Sequence, residues 1–169
     1  MPREFFEKTL RDIVSIPSYS GQEEKKSEYI LGRLREAGVE PESDPDGNIW
    51  LEVGSGKGLL HLNAHIDTVL PGDGWDSDPH EPRVEGDTLY GLGCTDCGGG
   101  LAALLWLAPR VRPRVRTLFS WTVCEEGIGN SKRNGSSLMA ERGGDWAITA
   151  EPSCSPEGPG ISLGTQGHA

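Results

Sequence analysis

Along this chain, short apolar runs of strand type alternate with stretches whose apolar residues recur at helical spacing. That alternation restricts the fold to an α/β class, in which helices cover the faces of a sheet. Phe6, Leu10, Ile13 and Val14 share one face of a predicted helix over residues 3–15, which Pro17 ends. Ser20, with Glu23 three residues on, has the form of a capping box. It would open a helix that carries Ile30, Leu31, Leu34 and Ala37 and stops at Gly38. Predicted strands over 39–43 and 48–53 flank the turn signal Asp44-Pro45-Asp46-Gly47. A third strand, 59–64, is reached through Gly54-Ser55-Gly56-Lys57-Gly58. This stretch reads as a hairpin turn, since no Gly-Lys-Ser/Thr closes it as a phosphate loop and no helix follows. Residues 70–88 read as a long loop and 88–92 as a short extended piece. Gly98-Gly99-Gly100 opens an apolar helix over 101–107, ended by Pro109. A strongly apolar strand over 115–124, a short helix over 136–142, a strand over 146–150 and the start of another at 161–163 complete the order. The expected architecture is a mixed, mostly parallel sheet with helices on both faces, within the size of a single domain at 169 residues.

Charge narrows the function. The net charge is −10, which disfavours nucleic-acid partners, while a surplus of carboxylates suits either plain solubility or the binding of cations. The basic run Arg110 to Arg116 lies where a helix hands over to a strand and reads as a solvated connector. No apolar run approaches the roughly 18–20 residues of a membrane span, and the first residues have no signal-peptide core, so a cytoplasmic location is expected. In that setting the four cysteines, at 94, 97, 124 and 154, read as thiols.

Ligands of open α/β sheets bind beyond the carboxyl ends of strands. In this chain those ends repeatedly carry a histidine or a carboxylate. His65-Ile66-Asp67 ends the run from Leu59, Glu125-Glu126 the run from Val115, and Glu151 the run from Trp146, while Asp96 precedes the glycine-rich helix start. His65 and Asp67 are two apart, so an extended chain points both to one side, as a metal-bound imidazole oriented by a carboxylate requires. Glu125 and Glu126 are adjacent, so their side chains diverge in extended chain, one free to ligate metal and the other to handle a proton. Asp96 has two oxygens and is able to bridge two cations, which in hydrolytic sites stand about 3.5–4 Å apart. The plain alternative is a hydrogen-bonded core histidine and a solvated glutamate pair. On spacing alone the two readings stand level. Cys94-x-x-Cys97 lacks the second Cys/His pair of a structural zinc site and does not follow a first strand as a redox pair would. No Gly-x-Ser-x-Gly elbow is present.

At these residues the sequence resembles the zinc-dependent amidohydrolase and exopeptidase family of acetylornithine deacetylase, succinyl-diaminopimelate desuccinylase, aminoacylase and glutamate carboxypeptidase. The matching stretches are Ala64 to Val69, Trp75 to Pro79, Leu89 to Asp96, Glu125-Glu126-Gly127 and Glu151-Pro152, in the family's order. The resemblance implies metal ligands His65, Asp96, Glu126 and Glu151, with Asp96 bridging, Asp67 orienting His65 and Glu125 as general acid/base. It implies zinc, in two sites, with cobalt as a substitute, and a small N-acyl amino acid or peptide as substrate, with no nucleic-acid or membrane partner. Two departures stand out. Where the family has Asp-Met-Lys-Gly or similar, this chain has Asp96-Cys97-Gly98-Gly99, which sets a soft thiol beside the metals. In relatives the chain also continues past the point of Gly164 to Gly167 into a lid or dimerisation domain and a C-terminal catalytic portion with a final histidine ligand. Residues 1–169 therefore correspond to the N-terminal portion of the catalytic domain. One zinc is then expected to bind well through His65, Asp96 and Glu151 and the second weakly. His168 is a weak substitute for the missing histidine, because it sits at the entry to the lid strand, while His61 and His80 read as strand and loop residues. An incomplete sheet would expose apolar edges and favour association of copies. The alternative to a hydrolase, weak or inactive as this chain, is a non-catalytic metal-binding or association module derived from one.

Overall fold

The structure, a computed structural model, describes residues 2–127 and 134–152 together with the backbone of 154–155 and 158–159. Its elements in chain order are α1 (Arg3–Val14), α2 (Glu24–Glu36), β1 (Glu42–Ser43), β2 (Ile49–Val53), β3 (Leu59–His65), β4 (Arg83–Glu85), β5 (Thr88–Tyr90), α3 (Gly100–Leu107), β6 (Arg116–Thr122), α4 (Gly135–Ala140), β7 (Trp146–Thr149), β8 (Cys154–Ser155) and β9 (Gly158–Pro159). Five strands form one sheet in the order β1-β2-β6-β3-β7, and β4–β5 and β8–β9 are separate two-stranded ribbons. The sheet is mixed: β3 runs parallel to both β6 and β7, whereas β1–β2 and β2–β6 are antiparallel.

Alternation along the strands divides the core between the two faces. Ile49, Leu51, Phe119 and Trp121 join Ile13, Ile30, Leu34, Leu101 and Leu105 under the first three helices. Trp50 and Leu118 pack on the other side with Met139 of α4. Helices therefore cover both faces, as the alternation of elements implies. The same alternation puts His61, Asn63, Ser120 and Thr122 on the α4 side, where they form a buried polar network. Asn63 donates to Ser120 Oγ at 2.8 Å and Thr122 Oγ1 at 3.2 Å, and His61 Nε2 pairs with Ser120 Oγ at 2.8 Å.

Several boundaries differ from the sequence reading for local reasons. The capping box does not form: α2 begins at Glu24, and the Glu23 carboxylate accepts the Gly21 N–H at 2.7 Å. The strand expected over 39–43 shrinks to Glu42–Ser43, because the Val39 N–H is spent on the Leu34 carbonyl at the end of α2. The loop expected over 70–88 contains β4, which pairs with β5 in a tight ribbon, and the extended piece 88–92 stops at Tyr90. His80 ties this loop down, donating from Nδ1 to the Val14 carbonyl at 3.0 Å and accepting the Tyr19 hydroxyl at Nε2 at 2.9 Å. The strand expected over 115–124 ends at Thr122, and Cys124 turns the chain with φ of 55°. The strand begun at 161–163 lies outside the described residues. The Arg110 to Arg116 connector is solvated, its arginines exposed. No helix among the described residues is long and apolar enough to cross a membrane.

The largest correction concerns residues 54–58. They are no hairpin turn, because β6 lies between β2 and β3, and the segment crosses the chain that enters β6. The crossing is why glycine is needed there. A Cβ at Gly54 would stand 2.4 Å from the Val115 carbonyl oxygen, and one at Gly56 would stand 2.6 Å from that of Arg114. Gly54→Ala should therefore cost more than Gly38→Ala, where φ is also positive but nothing lies within 4 Å. The expected excess is about 1–3 kcal/mol in urea unfolding, the overpacking cost beyond the shared left-handed backbone strain.

Candidate metal centre

Three parallel strands end at one edge of the sheet. In the register of the ladder His65 lies opposite Thr122 of β6, and Asn63 lies opposite Thr149 of β7. The Ile66 N–H donates to the Thr122 carbonyl at 2.8 Å and the Ala150 N–H to the Asn63 carbonyl at 2.7 Å. Pairing thus continues to the lip, where β3 delivers His65 and Asp67, the turn after β6 delivers Glu125 and Glu126, and β7 delivers Glu151. The fourth contributor is the irregular helical turn Cys94–Gly99, which carries Asp96 and Cys97. Gly100 seats that turn: a Cβ there would stand 2.1 Å from the Ala150 carbonyl oxygen.

Asp67, 1% exposed, ties these pieces together. Its Oδ1 accepts the Glu125 N–H at 3.0 Å, and its Oδ2 accepts the Glu126 N–H at 3.0 Å and the Ser20 hydroxyl at 2.6 Å. Burial works against its charge, but the hydrogen bonds from His65, Ser20 and the two backbone N–H groups outweigh that and hold its carboxyl below the usual carboxylate value. Lys26 is buried as well. Burial brings its amine down to about 8, opposed by the attraction of Asp67.

His65, also 1% exposed, stands among carboxylates. Its Nδ1 donates to the Asp67 carbonyl oxygen at 3.0 Å, with the Asp67 carboxylate farther off at 3.5 Å. Its Nε2 lies 2.9 Å from Asp96 Oδ1 and 3.4 Å from Glu151 Oε1. Burial alone would lower the imidazole, yet its hydrogen bonds to Asp67 and Glu151 carry it up to about 12. Glu125 is raised by burial and by the charges of Glu151, Asp67 and Asp96, against the pull of His65. Glu126 is raised by burial and by Asp96. Burial is the larger cause of both shifts and the neighbouring carboxylates add to it; a divalent cation would relieve the second part. Two sets of donor atoms lie within 4.8 Å of one another, His65 with Glu125 and Glu126, and His65 with Cys97 and Glu151. Nitrogen, carboxylate and sulfur donors in this mixture fit zinc.

Every residue that the sequence reading proposed for the site lies at this lip. Two details differ. The Asp67 contact that fixes the imidazole is shortest at the backbone carbonyl rather than the carboxylate, since the chain leaves the strand after His65. Glu125 and Glu126 do not diverge, because they sit in a turn and not in extended chain, and both reach His65. Sequence reasoning missed Ser20, whose partner is 47 residues away, and the burial of Lys26. His61 and His80 are strand and loop residues, as expected, and His168 lies outside the described residues. Among the described residues, Cys94 and Cys97 are thiols outside any disulfide.

The profile of peptidase family M20/M25/M40 matches residues 61–165. A succinyl-diaminopimelate desuccinylase of Xanthomonas oryzae is 35% identical over 155 residues, covering 84% of this chain and 41% of the relative. The chain thus spans about two fifths of that relative's length. Among solved structures, the M20 family metallo-carboxypeptidase Sso-CP2 of Sulfolobus solfataricus superposes with a TM-score of 0.74 at 21% identity, covering 94% of this chain and 39% of its own. Human carnosine dipeptidase 1 gives 0.70 at 22%, covering 88% and 38%. At these identities the structures establish likeness of fold.

Asp67→Asn removes a charged acceptor from two backbone N–H groups and a hydroxyl. It should cost about 2–4 kcal/mol in urea unfolding at neutral pH. Since the native state holds the Asp67 carboxyl below its unfolded value of about 3.9, its contribution is full above that pH and is lost as pH falls through the native value. The stability gap between wild type and Asp67→Asn should accordingly close on acidification below about pH 4.

Proposed function

The chain belongs to peptidase family M20/M25/M40, and we propose that it carries most of the metal centre of a hydrolase that cleaves the amide bond of N-acyl amino acids or small peptides. On this reading residues 1–169 are the N-terminal portion of the catalytic domain, consistent with the match to 84% of this chain but 41% of the desuccinylase. The observation that carries the proposal is His65 Nε2 with Asp96 Oδ1 at 2.9 Å and Glu151 Oε1 at 3.4 Å, one buried imidazole approached by carboxylates from two distant parts of the chain.

His65, Asp96, Glu126 and Glu151 would hold zinc, Asp96 placed to bridge two ions. Bound zinc supplies Lewis-acid polarisation of the amide carbonyl and a nucleophile at neutral pH. Asp67 acts on His65 by fixing the ring plane from the Nδ1 side. Glu125 takes the proton of the attacking water and returns it to the leaving amine. Its carboxyl, raised by burial and by neighbouring acids, is suited to both steps.

Zinc reconstitution should leave about one tightly held ion per chain. Finding none would remove the basis of the assignment. Glu125→Gln should lower turnover of N-acetyl amino acids by about 100- to 10,000-fold, the usual worth of a general acid/base, with metal content unchanged. Loss of metal instead would mean that the two adjacent glutamates exchange roles. Zinc bound without any turnover in the parent chain would turn the reading towards a non-catalytic metal-binding module.

A further inference from the structure

We propose that Cys97 is a metal ligand, giving the centre a sulfur donor; the inference rests on the metal-hydrolase reading above. Among the described residues, Cys97 Sγ, a ring nitrogen of His65 and a carboxylate oxygen of Glu151 all lie within 4.8 Å of one another. Two nitrogen or oxygen donors on one tetrahedral zinc stand about 3.4 Å apart, and His65 Nε2 and Glu151 Oε1 already have that separation, 3.4 Å. The thiol sulfur lies within 4.8 Å of both of these donors.

Cys97 is 2% exposed, and Sγ has the Ala150 carbonyl oxygen as its partner at 3.0 Å. A thiol is a weak donor, so this contact holds the sulfur in place without competing strongly with a cation. Coordination would release the thiol proton to solvent and replace that contact. The backbone on the far side of Cys97 is locked. A Cβ at Gly98 would stand 2.4 Å from the Gly93 carbonyl oxygen, and one at Gly100 would stand 2.1 Å from that of Ala150. Sulfur, nitrogen and carboxylate together favour zinc, cobalt or cadmium over magnesium or manganese. His65, Cys97 and Glu151 would supply three protein donors to one ion and leave a position for a further ligand.

The test is the electronic spectrum of the chain loaded with Co2+. The parent should show visible d–d bands together with a near-ultraviolet sulfur-to-cobalt charge-transfer band. In Cys97→Ser the charge-transfer band should vanish while the visible bands persist, and zinc affinity should fall by on the order of tenfold or more. Cys94→Ser should keep both features. Visible bands without the charge-transfer band in the parent would overturn the inference and leave the metal site standing, and this measurement needs no variant to fold. A charge-transfer band that survives in Cys97→Ser, with the far-ultraviolet circular dichroism of the parent, would overturn it in the same way. No cobalt bands at all would overturn both the inference and the metal reading beneath it.

Discussion

The Asp67 carboxylate is the constraint on which the centre depends. A buried anion is costly unless hydrogen bonds and charges compensate it. Here the compensation comes from groups that must themselves be in place: the N–H groups of Glu125 and Glu126, the Ser20 hydroxyl, and His65. Satisfying Asp67 therefore fixes the turn after β6 against the end of β3. It also draws the segment before α2 to the same point, where the Ser20 N–H bonds to the Thr68 carbonyl and the Thr68 N–H to that of Ser18. The two glutamates are positioned through their own backbone N–H groups, which Asp67 accepts.

Parallel pairing explains why so many distant residues meet there. β6, β3 and β7 run the same way, so their carboxyl ends share one lip of the sheet. Antiparallel neighbours would have sent alternate ends to opposite edges. The cost of that arrangement is the crossing of residues 54–58 over the entry to β6, which is tolerated only because glycines at 54 and 56 admit the close backbone approach.

The strands and helices were legible because each buries a periodic apolar face. α1 shows Ile13 and Val14 inward as its spacing implies, and the helix over 100–107 is buried nearly all round. The site was legible as a list of residues at strand ends, since the carboxyl edge of an α/β sheet is a general place for ligands. Its internal wiring was not. Ser20 has the local pattern of a cap, and only the long-range partner Asp67 decides against that use. The Gly54 to Gly58 stretch has the composition of a hairpin turn, and strand order, a non-local property, makes it a crossover. Glu125 and Glu126 were read as extended chain because the apolar run continues to Cys124, where a φ of 55° turns the chain out of the strand path.

The electrostatics of the lip follow from this geometry. Asp67, Asp96, Glu125, Glu126 and Glu151 gather around one imidazole, in a chain whose net charge is already −10. Burial, first, and the neighbouring carboxylates, second, push the Glu125 and Glu126 carboxyls up, while His65 opposes them. An arrangement of this kind lowers the stability of the protein by itself, and gains it back from whatever cation it binds in the native state only. A cation held by Glu125 or Glu126 would be coupled to the order of the turn after β6, because Asp67 accepts the backbone N–H groups of both. The carboxylate least exposed to that exchange is Asp67, which spends its lone pairs on the backbone. This is why it ties the turn that carries Glu125 and Glu126 to the end of β3.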